Sequence, residues 1–371
     1  MTLFESSLYK QAAERVRFRL EEASKQEVEI FGQPWWQKHF VYGAAPHTLS
    51  TFKTILGKMH LTIAASTIDG KSAEPLRMNQ GFESIEQSMF THAHAFKLES
   101  DQIREMIMMV NTATDQNRER VVDYITNTLF GITKEAVNGV HARLDLIILS
   151  ALSNAGKFTF TADNDPQSPF VGKTIDFGMN ASHIAQVGSG NEWNEGNKNI
   201  IDPLTEIDDV ISNSLVGIEK ILLDRQTMNY IRKTQAMQKY INSSLYPNKP
   251  LSDAMVNDWM SANGYPTFEV VERKIAIQNG DALSTVSPWK AGQLVFIPQN
   301  QIGTIETRQS DAELGMPSEG VTYSHYGRIE VRKFTQGERE NSNYCEITKA
   351  SITAAPSMDT IDNIFVLDTT K

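Results

Sequence analysis

The apolar positions change their period along the chain, and each change marks a part. Near the start Phe4, Leu8, Ala12, Val16 and Leu20 recur at the spacing of one helix face. Gly32-Gln33-Pro34-Trp35-Trp36 breaks that pattern, and Tyr42-Gly43-Ala44-Ala45-Pro46 reads as extended chain, because a residue before proline avoids the helical region. Residues 1–57 therefore read as an arm rather than a domain. From 58 to 98 the period is two. Met59, Leu61 and Ile63 alternate with polar residues, as do residues 89–98, with the turn formers Asp69-Gly70 and Pro75 between them. The pattern predicts a long hairpin with too few large apolar side chains to bury a core, so it needs another surface to lie on.

The helical period returns at Ser100, a candidate N-cap for a short helix carrying Ile103, Met106, Ile107 and Val110. A longer run from 116 to 154 places Val121, Ile125, Leu129, Ile132, Ala136, Val140, Leu144, Ile147 and Ala151 on one stripe and closes at Gly156. About 39 residues make a rod of about 58 Å, and the lack of a sustained heptad makes a coiled coil the weaker reading. Short strands at 158–161 and 173–177 precede a loop at 188–199. Asp202-Pro203 then caps a helix whose Ile207, Val210, Ile211, Leu215, Ile218, Ile221 and Leu222 predict that it runs on past 220. Two further helices are expected around 224–241 and 252–262. Strands follow at 267–271, 293–297, 328–334, 344–354 and 363–367. There is no internal repeat.

Composition narrows the function classes. The chain has 371 residues, 40% hydrophobic and 22% charged, enough to bury a substantial core. Charged residues crowd the first thirty positions, so no signal peptide is expected there and synthesis in the cytosol is. The most apolar run, 144–152, is interrupted by Asp145 and is far short of the about 20 residues that span a bilayer, so no membrane role is expected. A single cysteine, Cys345, excludes an internal disulfide framework and a multi-cysteine zinc site. The net charge of -10 argues against a sequence-independent grip on phosphates.

The candidate chemistry is thin. Val171-Gly172-Lys173-Thr174 lacks the earlier glycine of a phosphate-binding loop, where Gln167 stands instead, and reads as the start of a strand. Gly188 and Gly190 lack the third glycine of a dinucleotide fingerprint. His92 and His94 share one face of a strand and could chelate a metal if a third ligand arrived; half-exposed strand residues are the favoured reading. Cys345 reads as packing. Glu206, Asp208 and Asp209 sit at a helix start, where the dipole favours carboxylates. Arg15, Arg17 and Arg19 lie among glutamates, and a solvated face with an Arg17–Glu21 pair is preferred to a DNA contact. No catalytic residue, cofactor site or metal site emerges. Trp35 and Trp36 would point to opposite sides of an extended arm, so one of them is expected against a second subunit.

The order of parts resembles the major capsid proteins of tailed, double-stranded DNA bacteriophages, and the second half is similar to the lambda-type capsid protein E family. The residues that carry this are Trp193, Asp202-Pro203-Leu204, the segment Ile207-Asp208-Asp209-Val210-Ile211 and Gly292-Gln293-Leu294-Val295-Phe296-Ile297-Pro298 with Gly303-Thr304. Ser351-Ile352-Thr353-Ala354-Ala355-Pro356 and Ile364-Phe365-Val366-Leu367 add the tail. The resemblance covers about residues 58–371 as architecture. It implies an α+β, Hong Kong 97-type capsid fold: an N-arm (1–57), an E-loop hairpin (58–98), a peripheral domain with a spine helix (99–203), a mixed α/β axial domain (204–323) and return strands to the peripheral domain (324–371).

It also implies a non-enzymatic structural protein that self-assembles into pentamers and hexamers in the host cytoplasm and forms the icosahedral head of the virion. Scaffold and portal proteins would be its partners, with decoration proteins a further candidate and packaged DNA contained without sequence-specific binding. Subunit contacts would fall to Trp35, Trp36, Met59, Leu61, Ile63, Lys71, Phe90 and Phe96. Some such shells are crosslinked from an E-loop lysine; Lys71 lies near this tip, but no matching partner is visible. An encapsulin-like cargo shell shares the fold and stays open as an alternative, as does a metal-dependent hydrolase using His92 and His94.

Overall fold

The structure, a computed structural model, describes residues 3, 6–26, 34–56, 83–214, 216–242, 249–280, 282–298, 301–336 and 345–370. Helix α1 (Ser7–Gln26) comes first, then a single 3-10 turn (Trp35–Lys38) and strand β1 (Phe40–Tyr42). Strand β2 (Thr51–Leu56) pairs antiparallel with β3 (Glu83–Ser88), and β4 (Phe90–Leu98) follows at once. Helix α2 (Ser100–Asn111) is capped one residue earlier than expected, by Glu99. That side chain accepts from the third helical amide while Gln102 Oε1 accepts from Glu99 N at 3.1 Å, a reciprocal capping box that Ser100 could not complete.

Helix α3 (Arg118–Ser153) has 36 residues, a rod of about 54 Å. In its first half Val122, Ile125, Leu129, Ala136 and Val140 are buried on one stripe. From Leu144 to Leu149 every residue is buried, so here the helix is enclosed on all sides. The small strands β5 (Lys157–Thr159) and β6 (Thr174–Asp176) pair with each other, and β7 (Ile184–Gln186) follows. Helix α4 (Pro203–Asn213) starts where Asp202 Oδ1 accepts from Leu204 N. It does not run on past 220. Residues 220–224 form β8 (Lys220–Asp224), whose Ile221, Leu222 and Leu223 are buried on both faces of a sheet; pairing with two neighbours there outweighs the helical period.

The expected helix at 224–241 is two, α5 (Arg225–Lys233) and α6 (Gln235–Ile241), divided at Thr234, which ends one and caps the other. Helix α7 (Asp253–Ala262) leads to β9 (Thr267–Val271), the hairpin β10 (Ile275–Asn279) and β11 (Ala282–Val286), then β12 (Gln293–Ile297) and β13 (Gly303–Thr307). Strands β14 (Thr322–Tyr326), β15 (Ile329–Gln336), β16 (Cys345–Ser357) and β17 (Phe365–Asp368) complete the order.

Two sheets organise these elements. A six-stranded sheet runs β1-β13-β16-β15-β14, with β4 on the other side of β16. Together with α1 and α3 it encloses the larger core. A five-stranded sheet, β7-β17-β12-β8-β9, lies under α4 to α7. Its central strand β12 explains the junction: Leu294 and Phe296 belong to the smaller core, while Val295 and Ile297 belong to the larger. An unbroken apolar run is what a strand covered on both faces requires. The strands cross the expected division of the chain, since β13 sits in the larger sheet and β17 in the smaller.

Candidate assembly surfaces

The arm is fastened to its own chain. Leu8, Tyr9, Ala12, Val16 and Leu20 of α1 are buried in the larger core. The Tyr9 hydroxyl donates to the Glu346 carboxylate, and Arg15 pairs with Glu119 at 2.7 Å and Asp123 at 3.0 Å on α3. The outer face carries the expected Arg17–Glu21 pair at 3.4 Å and an exposed Phe18.

Trp35 and Trp36 do not face opposite ways: both are buried within the chain. A 3-10 turn sets successive residues about 120° apart instead of the 180° of an extended chain, so both rings reach one core. Asp145, fully buried on α3, fixes this turn. Its carboxylate accepts from Trp36 N at 2.8 Å and Trp35 N at 3.3 Å, and Arg273 Nε lies 2.9 Å away. Burial pushes that carboxyl above its ordinary range, and the two amides and Arg273 pull it back. Trp36 Nε1 donates to His141 Nδ1 at 3.3 Å, while burial lowers His141 to about 4. Beside the turn, Glu269 is held down at about 2, chiefly by the His39 ring 3.7 Å away, with Lys38 and Lys220 adding to it. Sequence reasoning gave Asp145 no role, although a lone carboxylate in the most apolar run of a helix was the available signal.

The second half of the expected hairpin is also internal. Strand β4 pairs with β16 from Phe90↔Ala354 to Leu98↔Glu346. Phe90 is buried and Phe96 half-buried against the larger core of their own chain. What remains of a ribbon is β2 with β3, starting at 51 rather than 58, because the pairing register begins at Thr51↔Ser88. Among the described residues its root has a cluster of Phe52, Met89 and Ala355. Met59, Leu61, Ile63 and Lys71 lie outside the described residues.

His92 and His94 share the β4 face turned to α3, but their settings differ. His92 is buried, and burial first, then Arg143, lowers it to about 3; His94 is exposed over Gly139 and is lowered by burial to a lesser depth. Among the described residues no group of three or more His, Cys, Asp or Glu could hold a metal ion. Lys173, at the start of β6, packs its ammonium 4.9 Å from the Phe90 ring centre, a cation–π contact rather than a phosphate site. Cys345 is buried in β16. Among the described helices none is long and apolar enough to cross a membrane.

Among the described residues the candidate association surfaces are the β2–β3 pair, the open apolar side chains and the strand edges without a described partner. Phe18, Leu49, Met108, Ile200, Leu283 and Met316 are each more than 60% exposed and lie on several elements rather than in one patch. A cleft of about 810 Å³ separates β4 from the β10–β11 hairpin.

The sequence matches the model of the family described as phage major capsid protein E over residues 33–339. No curated protein matches it. Among solved structures, a prophage capsid protein from E. coli CFT073 aligns with TM-score 0.57 at 10% identity, covering 94% of this chain and 98% of that one. The satellite phage P4 procapsid aligns at 0.44 and 9% identity over 94% and 99%, and the capsid of Myoviridae phage XM1 at 0.43 and 10% over 91% and 91%. Only the first exceeds 0.5, and it speaks for the fold.

Proposed function

The chain belongs to the phage major capsid protein E family, and from that premise we propose how it builds a head. It is a structural protein of the virion with a Hong Kong 97-type fold. In our reading it forms pentamers and hexamers, assembled in the host cytoplasm with scaffold and portal proteins and open to decoration proteins. It contains the packaged DNA without binding it specifically, and it performs no catalysis. The ribbon from β2 to β3 acts as the E-loop and α3 as the spine. The body around the six-stranded sheet is the peripheral domain, and the body around the five-stranded sheet is the axial domain.

The family match over residues 33–339 carries this reading. The ribbon supports it, since among the described residues the β2–β3 pair has a root cluster of Phe52, Met89 and Ala355, and a two-stranded hairpin is marginal without another surface. An encapsulin-like cargo shell would share the fold, so fold likeness cannot separate the two, and the family match favours the phage head. A net charge of -10 suits a container that must admit and release a polyanion. The test is assembly of the purified protein, alone and with scaffold, followed by sedimentation and electron microscopy. Pentamers, hexamers or closed shells are expected; a monomer at every concentration in both conditions overturns the reading.

A further inference from the structure

A small polar cavity lies on the face of the six-stranded sheet turned away from its core. Ile329, Val331, Ala350, Ile352 and Ala354 belong to the larger core. Side chains alternate along a strand, so Glu330, Arg332, Lys349, Ser351 and Thr353 share the opposite face. The register sets Glu330 across from Ser351 and Arg332 across from Lys349, with His325 on the other side of Glu330. The connection from β13 to β14 reaches the same place, since Arg308, Ser310, Asp311 and Glu313 line one cavity of about 170 Å³ with these residues and with Arg328. That is below the roughly 300 Å³ at which pockets take drug-sized molecules, and it suits a small ion.

Four cationic side chains meet three carboxylates here, on a chain whose net charge is -10. The carboxylates are largely engaged. Glu330 pairs with Arg332, Asp311 with Arg308 at 3.3 Å, and Glu313 accepts from Ser310 N at 2.8 Å while standing 3.9 Å from His325. The cations are not. Among the described residues Lys349 has no hydrogen bond or ion pair, Arg328 donates only to the Ala44 carbonyl at 3.5 Å, and Arg308 Nε is buried without an acceptor. Lys349 also stands directly across from Arg332, and like charges in that position destabilise a sheet. One acceptor is orphaned among these donors: Glu330 is 3% exposed, and its buried Oε2 has no donor. A buried polar atom left unpaired is costly, and most at a charged group.

A ligand that completes this cavity must carry negative charge, accept several hydrogen bonds and donate one. We propose that it is inorganic phosphate, bound as hydrogen phosphate. Its bare oxygens accept from Lys349, Arg328 and Arg308, charge-assisted bonds of the strong kind, and its P–OH donates to Glu330 Oε2. Its charge offsets the Lys349–Arg332 repulsion. Sulfate at neutral pH and the phosphodiester of nucleic acid have no such proton, so each would set bare oxygens against the Glu330 carboxylate and is refused. Bound phosphate ties the β13–β14 connection and the β14–β15 turn to β16. The site goes beyond the shell-building role and does not depend on it.

Calorimetric titration of the purified full chain with phosphate, sulfate and dimethyl phosphate tests this, at pH 7 and constant ionic strength. Phosphate binds saturably, one ion per chain, and raises the thermal midpoint as its concentration rises. Sulfate and dimethyl phosphate bind at least about tenfold more weakly, since a site with a buried polar group left unpaired rejects the analogue that cannot satisfy it. Lys349→Met weakens phosphate by about tenfold or more, while the midpoint without phosphate holds or rises, because a like-charge pair is gone. Glu330→Gln abolishes the discrimination, because an amide can donate as well as accept. No saturable phosphate binding overturns the site, and so does unchanged affinity in Lys349→Met. Sulfate or dimethyl phosphate binding the wild type as tightly as phosphate overturns the assigned ligand. If Glu330→Gln fails to fold, the wild-type anion series and Lys349→Met decide.

Discussion

Helix α3 and the β2–β3 ribbon are both long, simple elements, yet they stand in opposite relation to the rest of the chain. The helix is buried along one stripe up to Val140 and on all sides from Leu144 to Leu149, and its partners are the sheet, the arm and the β12 strand of its own subunit. The ribbon has one antiparallel pairing and a cluster of Phe52, Met89 and Ala355 at its root. Burial on folding rewards the helix in a single chain, whereas in the proposed reading the ribbon gains when a second surface arrives. Stability and association are thus assigned to different stretches of one sequence, and perturbations of subunit stability should grade from the helix to the ribbon.

The largest loss is expected at Leu129, buried mid-stripe on α3. Proline there removes a backbone hydrogen bond and clashes with the preceding turn, a cost of about 3 kcal/mol or more before lost packing is counted. Leu129→Pro should yield no soluble folded subunit, read from soluble yield and far-ultraviolet dichroism. Next comes Asp145→Ala, which leaves Arg273 and the Trp35 and Trp36 amides without their acceptor. Arg273 is 38% exposed and keeps its water, so the cost comes from the two buried amides, about 1–3 kcal/mol for each left unsatisfied, and the urea midpoint should fall. Tryptophan emission should shift to the red as the Trp35–Trp36 turn loosens. An unchanged midpoint would mean that the arm is held by α1 alone.

A smaller effect appears as a pH slope, and it belongs to the helix side of the comparison. His92 and His141 stand near 3 and 4 in the fold because burial disfavours their charged forms, against an ordinary value near 6.5. The unfolded chain binds protons there that the fold refuses. Stability is thus complete above about pH 6.5 and is lost as pH falls toward 4 and then 3. Glu269, held down to about 2, adds a loss in the same direction below about pH 4.5. The double variant His92→Gln, His141→Gln should flatten the dependence of the urea midpoint between pH 6.5 and 4.5, and an unchanged slope would place the titration elsewhere.

The same contrast explains what could be read from sequence. The α3 stripe and the 293–297 strand were legible because a local period defines each, and the observed bounds are Arg118–Ser153 and Gln293–Ile297. Asp202-Pro203 marked the start of α4 for an equally local reason. The place of β4 was not legible: Thr91 meets Thr353 across 262 positions, and alternation alone cannot tell a free ribbon from a strand paired with distant chain. The tryptophan turn failed for the same reason, since its shape depends on Asp145 more than a hundred residues away. Family resemblance implied the shell, while the pairing of β4 with β16 required the register.

The smallest effect on the subunit is expected at the ribbon, where the consequence for assembly is greatest. Replacing residues 57–82 by a short Gly-Ser turn leaves in place the β2–β3 pairing, the Phe52–Met89–Ala355 cluster and every described residue of the two large cores. Each halving or doubling of a flexible loop changes closure entropy by only about 0.6 kcal/mol, so the thermal midpoint should move little. Wild-type and trimmed chains should have superimposable far-ultraviolet spectra and equal denaturant slopes, since the slope follows the area exposed on unfolding. Assembly should separate them, because a ribbon without its outer part cannot reach a neighbour. Sedimentation and negative-stain microscopy with scaffold should give shells from the wild type and only subunits or open fragments from the trimmed chain. Shells of normal size from the trimmed chain would show that the ribbon is dispensable and that association rests on the bodies of the subunits instead.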